Sequence, residues 1–255
     1  MTNSYRAPAL WRTLLEARAP AELASLAVTR AFLRKMPRGD GHAVMVLPGF
    51  LASDTSTIPL RRTLRRLGYA SEGWGQGMNK GPRTTVVEAM LQRLVDLAEH
   101  SGGPVSVIGW SLGGVYARTL ARSLPDAVRV VVTLVSPFRM TQGDRSRASV
   151  AYAALEHPDE REQLRFLRET PLVVPATSLF SKLDGVVDWA ACIDDARPHS
   201  ESIEVRGASH FGIGHNPGAL IVIADRLATD PLRWRPFEVP TMLRKVLVPH
   251  EQHEI

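Results

Sequence analysis

Pro104-Val-Ser-Val-Ile-Gly-Trp-Ser-Leu-Gly-Gly114 is a short apolar run that drives straight into Gly-x-Ser-x-Gly. A serine at the tip of a sharp strand-to-helix turn takes up strained backbone angles, and its neighbours two before and two after come close together. Side chains there would collide, which is why glycines stand at 109 and 113, with Gly114 giving further room. The same turn brings Ser111 to the start of a helix, where free backbone N–H groups can meet developing negative charge. The alternative for Ser111 is a tight strand–helix junction with no chemistry. The five-residue pattern recurs by chance, so its surroundings decide.

Those surroundings repeat the theme. Leu112 to Leu124 has apolar residues at helical spacing, with Arg118 and Arg122 on another face and Pro125 closing the helix. Val128 to Val135 is a nearly continuous β-branched run, as expected of a parallel strand covered on both faces. Strand, turn, helix and strand make one βαβ unit.

Other segments extend it. Residues 42–47 and 69–74 read as strands, 58–67 as a helix with a basic face, and 84–100 as a long helix. Further on, 175–181 and 202–205 read as strands and 217–228 as the last clear helix. Before them, 8–36 suits one or two amphipathic helices, broken at Pro20 and ended by Pro37 and Gly39. With neither repeat nor linker, the chain reads as one α/β domain over 1–255. To it belong a helical extension (1–40), a charged helix-prone insertion at about 138–172 and a proline-bearing tail (234–255) lying over the body.

Composition narrows the function. At 255 residues, 44% hydrophobic and 22% charged, the chain can bury a full core. No apolar run approaches the ~20 residues that span a bilayer, and no secretory signal pattern is present, so a cytoplasmic location is expected. A single cysteine, Cys192, excludes an internal disulfide or a Cys-based metal cluster. The net charge of +5 is mostly arginine spread along the chain, without the clustered stripe of a nucleic-acid binder. Its local excess at Arg6, Arg12, Arg18, Arg30, Arg34, Lys35 and Arg38, against Glu16, Glu22 and Asp40, reads as solvated helix faces. Such basic N-terminal helices also leave room for peripheral contact with an anionic membrane.

In an open parallel sheet, function collects at the carboxyl ends of the strands. Those positions hold Gly49-Phe50, Ser111, Asp184 and His210. A nucleophilic serine needs a base to take its proton, and the base needs a carboxylate to fix its tautomer. The order Ser…Asp…His suits a serine on this kind of turn. His215 competes with His210, but it precedes Asn216-Pro217 and reads as a residue at the start of the last helix. Asp188, Asp194 and Asp195 compete with Asp184, and Asp188 is placed to cap a helix.

LPGF (47–50), GWSLGG (109–114), SPF (136–138), SKLDGVV (181–187) and GASHFGIGHNP (207–217) together resemble an α/β-hydrolase of the small esterase/lipase type, over roughly residues 42–228. The resemblance implies a minimal, mostly parallel sheet of about six strands with helices on both faces and a small helical cap. The family's opening two-stranded hairpin is missing from the sequence, its place taken by the helical N-terminus. By the same resemblance Ser111 is the nucleophile, His210 the general base and Asp184 its orienting acid, with the backbone N–H groups of Phe50 and Leu112 forming the oxyanion hole. Trp74, Met78, Trp110, Phe138 and Met140 stand in or near strand-end loops and suit an apolar pocket. The implied activity is cleavage of small-molecule or lipid carboxylic esters through an acyl-enzyme, with no cofactor or metal. Thioester or amide hydrolysis, acyl transfer, or a silent binding module on the same fold are the alternatives.

Overall fold

β-Branched and apolar runs become strands whose two faces are both covered. The computed structural model describes residues 5–25, 35–141, 143–155, 172–195 and 197–250. Its strands are β1 (Ala43–Leu47), β2 (Ala70–Gly73), β3 (Val105–Trp110), β4 (Val128–Leu134), β5 (Ala176–Phe180), β6 (Ser200–Val205) and β7 (Leu247–Pro249). They form one sheet in the order β2-β1-β3-β4-β5-β6-β7. The first six are parallel, and β7 runs antiparallel to β6, with Leu247 opposite Val205. Every residue of β1, β3, β5 and β6 is buried.

Helical segments flank the sheet. They are α1 (Leu10–Leu14), running on through a 3-10 turn (Leu15–Arg18) into helical residues 19–25, then α2 (Asp54–Leu67), α3 (Thr84–Ser101), α4 (Leu112–Ser123), α5 (Ser149–Leu155) and α6 (Pro217–Ala228). Alternation along the strands sends Val44, Val46, Ile108, Val130 and Val132 to one face, where Leu60, Leu64 and Leu67 of α2 and Leu220 and Ile223 of α6 meet them. Met45, Leu47, Val107 and Val131 face the other way, against Val87, Met90 and Leu94 of α3 and Tyr116, Ala117 and Leu120 of α4. The spacing of those helical residues puts each set on one stripe, and burying such a side chain contributes ~1.5–3 kcal/mol.

The parallel core matches the sequence reading, and helical residues precede β1 where the family's hairpin would stand. Two details differ. The helix expected over 58–67 begins at Asp54, because the Asp54 carboxylate is held by the N–H groups of Trp74 (2.9 Å) and Gly75 (3.0 Å), a tertiary partnership that carries it past Pro59. The tail adds β7, three residues too short to leave a periodic pattern. Of the charged insertion, α5 is described; the stretch 156–171 lies outside the described residues, as does 26–34.

Candidate active site

Ser111 links β3 to α4 with φ 52° and ψ −121°, a left-handed conformation that costs a non-glycine residue ~1–3 kcal/mol. Surrounding bonds hold it there. Its N–H donates to Leu134 O (2.8 Å), and its carbonyl accepts from Gly114 N (2.9 Å) and Ser136 Oγ (2.7 Å). The glycines are sterically obligatory. A Cβ on Gly109 would lie 2.3 Å from Gly113 O, one on Gly113 2.3 Å from Leu47 O, and one on Gly114 2.4 Å from Ser136 Oγ.

The loop after β1 runs past the serine. A Cβ on Gly49 would stand 3.2 Å from Ser111 Cβ and 3.8 Å from its Oγ, and Phe50 follows directly. Asn79, fully buried, moors this loop: Leu51 N–H donates to Asn79 O (2.7 Å) and Asn79 N–H to Ala52 O (2.8 Å). Its side chain donates to Pro48 O (2.9 Å) and accepts from Gly81 N (3.2 Å) and the Tyr116 hydroxyl (3.3 Å). Sequence reasoning passed over Asn79, since a polar residue in a glycine-rich loop looks solvated.

His210 and Asp184, 26 positions apart, meet below the surface with Nδ1 and Oδ2 2.7 Å apart. Both are buried. Oδ1 of Asp184 accepts from Val186 N (2.7 Å) and Val187 N (2.9 Å), which fixes the carboxylate plane. An ionised carboxylate only accepts, so Nδ1 carries the proton and the bare nitrogen is Nε2. Burial pulls the imidazole towards neutrality, but the charge and hydrogen bond of Asp184, helped by the charge of Glu16, raise its pKa above the ordinary histidine value. The carbonyl of His210 accepts from Trp110 Nε1 (2.9 Å), which brings the histidine loop against the serine turn.

The competing residues have other engagements. His215 packs edge-on against Trp110 (5.4 Å between centroids), and burial lowers its pKa. Asp188 accepts from Ala190 N (3.1 Å) as the cap of a 3-10 turn. Asp194 takes both terminal nitrogens of Arg118 (2.8 and 2.9 Å) plus Arg197 (2.6 Å), and Asp195 pairs with Arg139 (2.7 Å). Of the five pocket residues, Trp74 is enclosed in the core, donating to Gly77 O (2.9 Å), and Trp110 is buried under the histidine loop. Met78 is exposed, Phe138 lies half-buried under the Arg118 guanidinium (3.9 Å), and Met140 is half-buried.

One expectation fails. Glu16, Arg18 and Glu22 are not a solvated face. Glu16 is buried and accepts from Gly185, His210 and Phe211 N–H groups, while Arg18 and Glu22 bond the same two loops. Their partners lie more than 160 residues away, as with Arg18 and Leu183, so no local pattern reveals them. Among the described residues, no group of three or more His, Cys, Asp and Glu comes together as a metal site, and no helix is long and apolar enough to cross a membrane.

The mouse serine hydrolase BPHL is 29% identical over 131 residues, 48% of this chain and 45% of that protein, so the match spans less than half of the relative. Among solved structures, Aspergillus fumigatus lipase B superposes with a TM-score of 0.59 at 18% identity, covering 75% of this chain and 53% of that one. The carboxylesterase EstE1, cloned from a metagenomic library, gives 0.55 at 16% identity over 77% and 82% of the two chains. Paleococcus ferrophilus monoacylglycerol lipase gives 0.53 at 16% identity over 76% and 96%. These likenesses concern the fold. The model of the alpha/beta hydrolase family matches residues 39–254, and the chain belongs to that family.

Proposed function

We propose that the protein is a serine hydrolase that cleaves carboxylic esters through an acyl-enzyme. The observation that carries this reading is the buried 2.7 Å pair of His210 and Asp184, tied through Trp110 to a serine held at φ 52°. Ser111 Oγ attacks the ester carbonyl while His210 Nε2 takes its proton. The N–H groups of Leu112 and Phe50 hold the oxyanion, each such donor contributing ~3 kcal/mol to the transition state. His210 returns the proton to the departing alcohol, then takes one from the water that releases the acid. Asp184 holds the imidazole and stabilises its charged form throughout.

Exposed apolar residues next to the site residues support an apolar acyl group on the substrate. Leu51, Met78 and Phe211 are exposed, and they adjoin Phe50, Asn79 and His210 in sequence. Exposed apolar side chains beside reacting groups suit an uncharged acyl chain. The carboxylesterase and lipases that share the fold make the same substrate class the first to examine.

A fluorophosphonate probe tests the chemistry. The expected result is one adduct on Ser111, none in Ser111→Ala and a strongly reduced rate in His210→Ala. An adduct formed equally well by His210→Ala, or none in the wild type, overturns the reading. A panel of p-nitrophenyl esters from acetate to palmitate, with a p-nitroanilide and an acyl thioester alongside, then ranks substrates by kcat/KM.

A further inference from the structure

Both loops that carry the base and the acid are gripped by a segment that precedes the family-matched region. That region begins at residue 39, yet Thr13, Glu16, Arg18 and Glu22 all reach the two loops. Thr13 Oγ1 donates to Gly185 O (2.9 Å), and Arg18 donates to Leu183 O (3.1 Å) and Ala208 O (2.8 Å). Glu22 accepts from Ser209 N (2.8 Å). The packing is close enough that a Cβ on Gly185 would lie 2.4 Å from Arg12 O.

Within this strap Arg18 Nη2 and Glu16 Oε1 each join the two loops through a single atom, and Glu16 does so at the N–H of His210 itself. Its Oε1 accepts from Gly185 N (2.9 Å), beside Asp184, and from His210 N (3.0 Å). Its Oε2 accepts from Phe211 N (3.1 Å). Only a carboxylate of this length meets all three donors. Glutamine offers one acceptor oxygen and turns an NH₂ group towards a donor, and aspartate is one methylene short.

We infer that Glu16 is a positioning residue of the hydrolytic site, a buried carboxylate that locks the base loop to the acid loop through three backbone N–H groups. The inference rests on reading Ser111, His210 and Asp184 as a triad. Its effect on His210 is both geometric and electrostatic. The bonds fix the backbone from which the imidazole projects, and the negative charge favours the imidazolium that forms as Ser111 loses its proton. Among the described residues, the charged and titratable groups around His210 are Asp184 from the acid loop, Glu16, Arg18 and Glu22 from the strap, Cys192 and Asp188 behind Asp184, and His215 across Trp110.

The test uses the full chain with Glu16→Gln, Glu16→Asp and, as a control on the same segment, the exposed Leu14→Ala. Hydrolysis of p-nitrophenyl butyrate is normalised to fluorophosphonate-titrated sites, and the His210 ring is titrated by proton NMR. Glu16→Gln is expected to lower kcat ~10- to 100-fold, with KM held within about twofold. Losing the charge also moves the acid limb of kcat/KM, and the His210 titration, to lower pH. Glu16→Asp loses kcat but keeps both near their wild-type pH, and Leu14→Ala changes neither. A merely structural Glu16 gives fewer titratable sites, each with wild-type kcat and pH dependence, and that result overturns the inference. If Glu16→Gln does not fold, unchanged kcat per site in Glu16→Asp overturns it equally. A wild type that takes up no probe strikes the hydrolase reading instead, and the NMR titration still decides whether Glu16 acts on His210.

Discussion

The indole Nε1 of Trp110 donates to the carbonyl oxygen of His210 at 2.9 Å, so the residue just before the candidate nucleophile anchors the backbone of the candidate base. The same ring meets His215 edge-on and packs on Gly214, where a Cβ would lie 2.5 Å from Trp110 Cζ3. Trp110→Phe keeps most of the aromatic surface and removes the donor, leaving a buried carbonyl unpaired. The expected loss is ~1–2 kcal/mol, seen by calorimetry as a Tm lower by about 2–6 °C. On the proposed triad, kcat is expected to fall more than KM rises, because the backbone that carries the imidazole loses its anchor.

With His210 as the proposed base, its raised pKa sets the expected pH dependence. The imidazole must be neutral to accept a proton, so kcat/KM falls as pH drops through a pKa above the ordinary 6.5. Asp184→Asn removes the charge that raises it, so the acid limb moves to lower pH while the plateau falls by several orders of magnitude, ~10⁴ in the comparable serine-protease change. Rates measured from pH 5 to 9 with a neutral ester check both. The linked stability has the opposite direction: the folded protein binds this proton more tightly than the unfolded one, so the His210 contribution is full below 6.5 and lost as pH rises through the folded pKa.

Asn79 moors the loop that carries Phe50, the proposed oxyanion donor. Asn79→Leu keeps the volume but strips partners from Pro48 O and Gly81 N, and it is expected to cost about 2–4 kcal/mol in urea unfolding. A loosened Phe50 N–H weakens oxyanion binding, which lowers kcat by up to ~10²-fold and slows inactivation by a fluorophosphonate in parallel. A stable variant with unchanged kcat would detach Asn79 from the site.

The parts legible in the sequence are those written in local chemistry. Three glycines crowded around Ser111, unbroken β-branched strands, and the apolar stripe from Leu60 to Leu67 each declare themselves within a dozen residues. Asp184 and His210 were legible because parallel-sheet topology sends strand ends to one place, and the two residues do meet. What escaped is bonding between distant segments. Glu16 on a short amphipathic helix looks like any solvated glutamate, and its buried donors appear only once β5 and β6 have brought their loops beneath it. For Trp110 the sequence suggested a pocket wall and gave no sign of the bond that ties its indole to the His210 backbone.

The strand β7 bears on what the molecule does in company. Without it, β6 would present a row of unpaired backbone groups along Ile203–Val205, a template on which a neighbouring chain could continue the sheet. The tail covers that row, with His250 N–H extending the cover to Ser202 O. Its own outward side is three residues long and ends in Pro249, which has no N–H to offer the next strand. A segment of three residues thereby blunts the β6 side of the sheet against ribbon growth and leaves β2, at the opposite edge, as the longer strand a neighbouring chain could pair with.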